Sequence, residues 1–254
     1  MPTRRDPPYG RRVVTLVALH GNGGGGFRFS LLPEHLPADV HLVAPSLPGF
    51  TGGPPLADSS VPALARHVRG LLADLPRPLV LLGHGIGGSV ALEVVQQDAA
   101  AVDGLVLHAP VGARLDTRLF PRLMRIPGAT SFLRWGISSP LTRPLVRRRL
   151  FTPGAVPRPV ADRFLAAYGE CAAFGPMFRE ITPAWWDSLT PHELPSVLLW
   201  GRGDGVLGAD QLEDYRRLLP RAGVEVVEDW THWPMLEQPA DYAAVVGRLA
   251  RSLA

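Results

Sequence analysis

Residues 83–88 read GHGIGG, and this glycine-rich stretch lies between an apolar run, PLVLL at 78–82, and a helix-like pattern, SVALEVVQQ at 89–97. A buried strand, a sharp turn and a helix form the setting of the G-x-S-x-G motif, in which the central serine is presented as a nucleophile. Glycine takes all three marked positions, and the central one, Gly85, stands where the motif has serine. The stretch therefore predicts the turn of a nucleophilic site without the atom that attacks.

Short, continuous apolar runs recur along the chain and alternate with helix-like patterns. Such runs are typical of strands that are buried on both faces. Their alternation with helices indicates an α/β protein with a mainly parallel central sheet that is flanked by helices. The predicted strands are VVTLVAL (13–19), VHLVAP (40–45), PLVLLG (78–83), GLVLHAP (104–110), SVLLWG (196–201) and VEVVED (224–229). Helices are predicted at 59–75, 86–99, 208–219 and 239–252.

Residues 111–190 interrupt this alternation. They are rich in proline and arginine, lack a strand pattern, and contain apolar-periodic pieces such as TRLFPRLMRI (117–126) and ADRFLAAYGE (161–170). The strand pattern resumes directly afterwards. We therefore predict a helical lid at 111–190, inserted into an α/β core that is formed by residues 1–110 and 191–254.

The composition is that of a folded globular protein. The chain has 254 residues and is 46% hydrophobic, which is sufficient for one large domain. No apolar run reaches the roughly 18 residues that span a bilayer, and the N-terminal MPTRRDPPYGRR lacks the apolar core of a signal peptide. A cytoplasmic protein without a membrane partner is expected. Cys171 is the only cysteine, so neither a disulfide nor a thiolate metal cluster is expected, and no cofactor is predicted.

The arginines form a cluster in the middle of the chain. All 26 basic residues are arginine, and between residues 111 and 150 Asp116 is the only acid. No aromatic ladder or nucleic-acid motif accompanies them, so a nucleic-acid partner is not expected. The cluster is either a solvated face or a site for an anionic small-molecule substrate or an acidic carrier protein. In the second interpretation Arg114, Arg118 and Arg122 are candidate substrate-binding residues.

Three further features follow predicted strands. His20 closes the first strand and precedes NGGGG (22–26), a loop in which glycine lets backbone N–H groups point into a site. Asp204 follows the strand SVLLWG, and His232 follows the last strand. Parallel sheets collect functional residues at the carboxyl ends of their strands. The sequence therefore predicts that Asp204 and His232 lie at the same edge of the sheet as the glycine turn.

Five motifs in this order resemble those of the α/β-hydrolase superfamily, over nearly the whole chain. They are HGNGG (20–24), APSLPGF (44–50), GHGIGG (83–88), WGRGD (200–204) and THWPMLEQP (231–239). The resemblance implies the α/β-hydrolase fold and an oxyanion hole made by the backbone N–H groups of Asn22 and Ile86. It also implies a catalytic pair in which Asp204 orients His232.

Three features depart from the family pattern. Gly85 replaces the nucleophile. Few residues precede the first strand, so the usual front antiparallel hairpin is expected to be missing or reduced. Thr231 stands where glycine often precedes the histidine, which changes how the imidazole is presented.

No other residue is a convincing substitute nucleophile. Ser89 lies one helical turn beyond Gly85, at about 6 Å along the helix axis, and is expected to pack helix against sheet. Ser46 follows the second strand and is expected to serve the loop. His20 and His84 flank the glycine turn, where they either make structural hydrogen bonds or contact substrate.

Three functions are compatible with these residues. A histidine oriented by a carboxylate, with an oxyanion hole, suits proton abstraction beside a carbonyl, followed by elimination (lyase chemistry) or cyclisation of a small molecule in specialised metabolism. The first alternative is an esterase or thioesterase that lost activity when glycine replaced its serine. The second is a silent binding protein or receptor that uses the old pocket.

Overall fold

The computed structural model describes residues 13–254, and its centre is a parallel sheet of six strands. The strands are β1 Val14–Leu19, β2 Val40–Val43, β3 Leu79–His84, β4 Gly104–His108, β5 Ser196–Gly201 and β6 Gly223–Val227. They lie in the order β2-β1-β3-β4-β5-β6, and each neighbouring pair is parallel. The six strands predicted from the apolar runs are confirmed.

Burial explains why the inner strands are continuous apolar runs. Every residue of β1, β3, β4 and β5 is buried. Such a strand is covered on both faces, so a polar side chain on either face would be buried, and apolar residues are favoured along the whole strand. The edge strands β2 and β6 are partly exposed.

Helices flank the sheet. Within the described residues they are α1 Val61–Leu72, α2 Ile86–Gln97, α3 Leu119–Met124, α4 Ala129–Ser138, α5 Arg143–Leu150, α6 Arg158–Glu170, α7 Phe174–Glu180, α8 Pro183–Asp187, α9 Leu212–Leu218, α10 Pro234–Glu237 and α11 Pro239–Leu253. The helices α1 and α2 pack on each other, and α11 packs across β1, β2 and β4. These flanking helices and α9 correspond to the four helices that the sequence predicts.

In the first flanking helix, α1, the capping residue and the spacing of apolar residues explain why the segment is helical. The hydroxyl of Ser60 accepts a hydrogen bond from the N–H of Ala63, which satisfies one of the free donors of the first turn of α1. Val61, Leu64 and Val68 recur at helical spacing and are buried. These residues therefore favour an amphipathic helix whose N-terminus is capped by Ser60.

The region between β4 and β5 contains α3 to α8 and, like the sequence pattern, no strand among the described residues. Its role as a lid stays a prediction. The predicted loss of the front hairpin falls on residues 1–12, outside the described residues. No helix within residues 13–254 combines the length and apolar character that crossing a membrane requires.

Candidate active site

Gly85 lies at a sharp turn between β3 and α2. Its backbone angles are φ 57° and ψ −120°, a conformation that residues with a side chain rarely adopt. The turn is held from both sides, because the N–H of Gly85 donates to the carbonyl of His108 at 3.2 Å and its own carbonyl accepts from the N–H of Val111 at 2.9 Å. The elbow geometry is therefore present although the serine is absent.

The other glycines of the elbow allow three segments to approach closely. A Cβ on Gly87 would lie 2.4 Å from the carbonyl oxygen of Leu19, at the end of β1. A Cβ on Gly83 would lie 2.6 Å from the carbonyl oxygen of Gly87. At Gly85 the surroundings differ, because a Cβ would meet only the Cα of Gly21, at 3.3 Å, within 4 Å. A Cβ at this position would therefore make a single contact, which is closer than an ordinary van der Waals contact.

His232 and Asp204 form a hydrogen-bonded pair. The Nδ1–H of His232 donates to Oδ2 of Asp204 at 2.7 Å, and both side chains are buried. The other carboxylate oxygen, Oδ1, accepts from the N–H groups of Val206 and Leu207, each at 2.8 Å. The structure thus brings together the two residues that the family resemblance pairs.

The environment of Asp204 favours the ionised carboxylate. Burial by itself raises the pKa of Asp204, but the attraction of His232 and the hydrogen bonds from His232, Leu207 and Val206 outweigh it and lower the pKa below its usual value. An ionised Asp204 requires the proton of neutral His232 to be on Nδ1. The lone pair of Nε2 then remains available as a base.

The predicted oxyanion donors lie on two segments that approach the elbow. The N–H of Ile86 is in the first turn of α2, where no intrahelical acceptor exists. Asn22 lies in the glycine loop after β1, and its side-chain amide donates to the carbonyl of Phe174 in α7 at 3.3 Å. Its side-chain oxygen accepts from the N–H of Gly23 at 3.0 Å. These contacts fix the loop that carries the backbone N–H of Asn22.

Arg28 also holds the loop of Asn22, and the sequence pattern did not predict this role. Its guanidinium is fully buried, donates to the carbonyl of Asn22 at 2.9 Å and lies 4.3 Å from the ring centre of Phe164. No carboxylate among the described side chains pairs with it, and its Nε has no hydrogen-bond partner there. Burial lowers its pKa. The one signal in the sequence is an isolated arginine two positions after the glycine run, beyond Phe27.

His20 and His84 are completely buried. The ring of His20 is fully used, because Nδ1–H donates to the carbonyl of Gly21 at 3.0 Å and Nε2 accepts from the N–H of Leu47 at 3.1 Å. His84 donates through Nε2 to the carbonyl of His232 at 3.0 Å. Of the two roles expected for them, the geometry supports structural bracing of the site rather than contact with substrate.

A third buried histidine, His108, lies next to His84, with 4.8 Å between the ring centres. Burial lowers the pKa of His20 and of His108 to about 3 and brings the pKa of His84 well below its usual value. All three imidazoles are therefore neutral at physiological pH.

The residues considered as substitute nucleophiles are engaged elsewhere. The hydroxyl of Ser89 donates to the carbonyl of Val111 at 2.6 Å, and that of Ser46 donates to the carbonyl of Thr51 at 2.8 Å. Cys171 is buried, and burial raises its pKa to about 11, which suppresses the reactive thiolate.

Two of the three candidate substrate-binding arginines form ion pairs with carboxylates in this structure. Arg114 pairs with Asp214, with 2.6 Å between Nε and Oδ2, and Arg118 lies 3.4 Å from Asp210. Arg122 is exposed. A role for Arg114 or Arg118 in binding an anionic substrate therefore requires exchange of a carboxylate partner.

Thr231, which departs from the family pattern, has a specific partner. Its hydroxyl donates to Glu237 in α10, and the other carboxylate oxygen of Glu237 accepts from the N–H of Thr152 at 2.7 Å. The residue before His232 is thereby connected to the segment that follows α5. Among residues 13–254, no group of three or more His, Cys, Asp or Glu side chains is arranged to hold a metal ion.

Comparison with known proteins agrees with this geometry. The sequence model described as the alpha/beta hydrolase family matches residues 16–245. The chain is 29% identical over 251 residues to the pimeloyl-[acyl-carrier protein] methyl ester esterase of Aromatoleum aromaticum, covering 93% of this chain and 98% of that protein. It is 25% identical over 256 residues to the 2-hydroxymuconate semialdehyde hydrolase of a Pseudomonas species, covering 91% and 85%.

A solved esterase from Exiguobacterium antarcticum has the same fold. It matches with a TM-score of 0.77 at 16% identity, over 94% of this chain and 92% of that one. The predicted α/β-hydrolase fold, a six-stranded parallel sheet flanked by helices, is confirmed.

Proposed function

The chain belongs to the alpha/beta hydrolase family, and from this premise we propose that it is an enzyme that performs general-base chemistry on a carbonyl-containing small molecule. The proposal rests on one observation. The 2.7 Å hydrogen bond between His232 and Asp204 is intact beside an elbow residue, Gly85, that has no side chain. The base is retained and the covalent nucleophile is not.

The proposed base is Nε2 of His232. Asp204 holds the opposite ring nitrogen in its protonated form, so Nε2 accepts a proton from the substrate. The lowered pKa of Asp204 supports this role, since an ionised carboxylate stabilises the imidazolium that forms.

The proposed acceptor of negative charge is the pair of backbone N–H groups of Asn22 and Ile86. Donors arranged for a tetrahedral oxyanion stabilise an enolate oxygen equally well. Because Gly85 has no side chain, we place substrate atoms where a serine hydroxyl would otherwise lie.

The proposed reaction is an elimination or a cyclisation. His232 removes a proton from the carbon next to the carbonyl, and the electrons of that C–H bond form the enolate. In an elimination, the enolate then expels a β-acyloxy group as carboxylate and a C=C bond remains. The proton returns from the imidazolium to solvent or product, so the enzyme is unchanged.

Hydrolysis of an ester or thioester is the second candidate. It is supported by the likeness to a methyl ester esterase. It is also supported by the backbone conformation of Gly85, which is that of an elbow although glycine has no side chain that could attack. In that case glycine replaced an essential serine. A binding protein without catalysis is the remaining alternative.

Isotope labelling separates elimination from hydrolysis that persists without the serine, whereas an inactivated esterase or a binding protein releases no acetate. A β-acetoxy ketone is incubated with the protein in water enriched in oxygen-18, and the released acetate is analysed by mass spectrometry. Elimination breaks the alkyl C–O bond, so the acetate carries no label from water. Hydrolysis breaks the acyl C–O bond and adds one labelled oxygen.

Two variants serve as controls. His232→Gln should abolish release in either enzymatic case, and His41→Gln, which changes an exposed histidine on β2, should not alter it. Labelled acetate from the unmodified protein would overturn the elimination proposal. Release that persists in His232→Gln would overturn the role of His232 as base.

A further inference from the structure

The region between β4 and β5 exposes an unusual amount of apolar surface. Of the twelve large apolar side chains that the described residues expose, eight lie between residues 119 and 145. They are Leu119, Phe120, Leu123, Ile126, Phe132, Trp135, Leu141 and Leu145. Scattered exposed apolar residues need no explanation, but a concentration of this kind marks an interaction site.

Most of these apolar residues lie on helices, and Ile126 and Leu141 lie in the connections between them. Leu119 and Leu123 are one turn apart on α3, and Ile126 follows the end of that helix. On α4, Phe132 and Trp135 lie next to each other, with 6.0 Å between ring centres, and are 72% and 57% exposed. Neither α4 nor α5 has a fully buried residue. An ordinary surface helix points its apolar stripe toward the core, whereas these helices also present large apolar side chains to solvent.

Positive charge is interspersed with these side chains. The arginines of α3 to α5 and their connections are Arg122, Arg125, Arg134, Arg143, Arg147, Arg148 and Arg149, and none of them has a carboxylate partner among the described side chains. Several donate instead to backbone carbonyls. Arg134 donates to Tyr168 and Gly169, and Arg125 donates to Phe178. A carbonyl does not neutralise a guanidinium, so the charge of the surface is retained.

A cavity of about 320 Å³ opens at the end of this surface. Its wall includes Arg147 and Arg148 from α5, the apolar side chain of Phe151, and Arg158 at the start of α6. Arg158 is 3.8 Å from Asp162, so its charge is partly balanced. The cavity offers cationic donors to a small anionic group beside an apolar surface.

We propose that the outward face of α3, α4 and α5, which we call the apolar–cationic surface, docks onto an anionic lipid surface. Aromatic and leucine side chains together with arginines are the composition of interfacial helices, whose apolar residues enter the boundary between headgroups and acyl chains. Arginines near an anionic bilayer are attracted by its negative surface potential. The apolar residues insert, the arginines contact lipid phosphates, and the cavity receives a headgroup.

The charge selects this occupant over a second copy of the chain. Two copies that met through the apolar–cationic surface would bring like charges together, since residues 111–150 contain no acid besides Asp116. Binding of the apolar–cationic surface to lipid does not depend on the reaction proposed at Gly85.

Vesicle binding tests the proposal. Full-length protein is sedimented with vesicles of phosphatidylcholine alone and of phosphatidylcholine with about 30% phosphatidylglycerol, whose surface charge attracts basic side chains. We expect binding to the anionic vesicles only, reduced at least about tenfold in roughly 0.5 M salt, which screens that attraction. The double variant Phe132→Ser, Trp135→Ser should reduce binding at least about tenfold, because the inserted apolar area is lost. Arg148→Gln, Arg149→Gln should reduce binding and weaken its salt dependence.

A matched control is available elsewhere on the molecule. Val206 and Val224 are 49% and 42% exposed outside the apolar–cationic surface, and changing both to serine should leave binding unchanged. Circular dichroism verifies that each variant is folded. Three results would overturn the proposal: equal binding to both vesicle types, a concentration-dependent dimer that the Phe132 and Trp135 changes abolish, or binding of an acidic acyl carrier protein without vesicle binding.

Discussion

The Nε2–H of His84 donates a 3.0 Å hydrogen bond to the backbone carbonyl of His232, so the residue before the elbow position holds the loop that carries the proposed base. The two rings are 4.7 Å apart between their centres. Burial lowers the pKa of His84 and keeps its imidazole neutral, and the positive charge of Arg28 adds to this effect. The position of the base therefore depends on a buried, uncharged donor that does not itself need to react.

The His232–Asp204 pair gives the most direct prediction. Asp204→Asn keeps the size of the side chain but replaces the ionised acceptor, so it no longer selects the productive tautomer of His232. We expect turnover to fall by about 10²-fold or more, which is the contribution of general-base catalysis. Steady-state kinetics measures this effect, with Asp74→Asn, an exposed aspartate after α1, as the control. Equal losses in the two variants would argue against a specific role for Asp204.

Restoring serine at the elbow tests the origin of Gly85. The φ of 57° strains any residue with a Cβ, so Gly85→Ser and Gly85→Ala should each lower the free energy of unfolding by about 1–3 kcal/mol. If the protein is an inactivated hydrolase, serine but not alanine should increase cleavage of p-nitrophenyl acetate by several orders of magnitude. If glycine is native, the hydroxyl should lower the natural turnover and give at most weak ester cleavage.

Arg28 is expected to support the loop that carries Asn22, the proposed oxyanion donor. Arg28→Met removes the hydrogen bond to the carbonyl of Asn22 but also removes a buried charge that has no carboxylate partner among the described side chains, and such a charge is costly to maintain. We therefore predict a loss of turnover of about tenfold, as expected for a weakened oxyanion donor, with a comparatively small change in the urea midpoint. Arg28→Lys should recover part of the turnover. A large loss of stability with normal turnover per folded molecule would assign Arg28 a purely structural role.

The buried histidines predict a specific pH dependence of stability. The unfolded chain protonates histidine below about pH 6.5, whereas folded His20 and His108 have pKa values of about 3. Between these values the unfolded state binds more protons, so stability decreases as the pH falls, by up to about 1.4 kcal/mol per pH unit for each histidine. Urea unfolding from mildly acidic to neutral pH measures the slope.

A neutral replacement checks the assignment of that slope. His20→Gln should reduce the slope in the range between the folded and unfolded pKa values, whereas His41→Gln, on the exposed side of β2, should leave it unchanged. Asp204, whose pKa is lowered, contributes stability that is lost only at lower pH, as the pH falls through its folded pKa. A decline that begins only near the pKa of an ordinary carboxylate, about 4, would contradict the role of the buried histidines.

Two glycines in contrasting surroundings predict opposite effects. At Gly23, φ is 69° and a Cβ would lie 2.3 Å from the ring of Tyr168, so Gly23→Ala should destabilise the fold and disturb the loop of Asn22. Gly70 lies inside α1, and a Cβ added there would meet no atom within 4 Å. Gly70→Ala should therefore stabilise the protein by about 0.5–1 kcal/mol. Urea midpoints measure both effects.

The strands and the elbow could be predicted because their signals are local. A strand that is covered on both faces must be apolar along its length, as in β3 and β5. The glycine elbow and the order of Gly85, Asp204 and His232 were likewise readable, because the ends of parallel strands meet at one edge of the sheet. The 2.7 Å contact between the base and its carboxylate is consistent with that order.

Local patterns in the chain were thus sufficient for the parallel sheet and for the glycine turn at Gly85, and the family resemblance was sufficient to pair Asp204 with His232. Three features emerge only when the chain is folded: Arg28 is buried against the loop of Asn22, Arg114 pairs with Asp214, and the apolar side chains of α3 are exposed. Apolar periodicity indicates that a helix has an apolar and a polar face. It does not indicate which of the two faces the rest of the protein covers. The partners of a charge also depend on residues that are distant in the chain, here from position 114 to position 214, and local patterns carry no information about them.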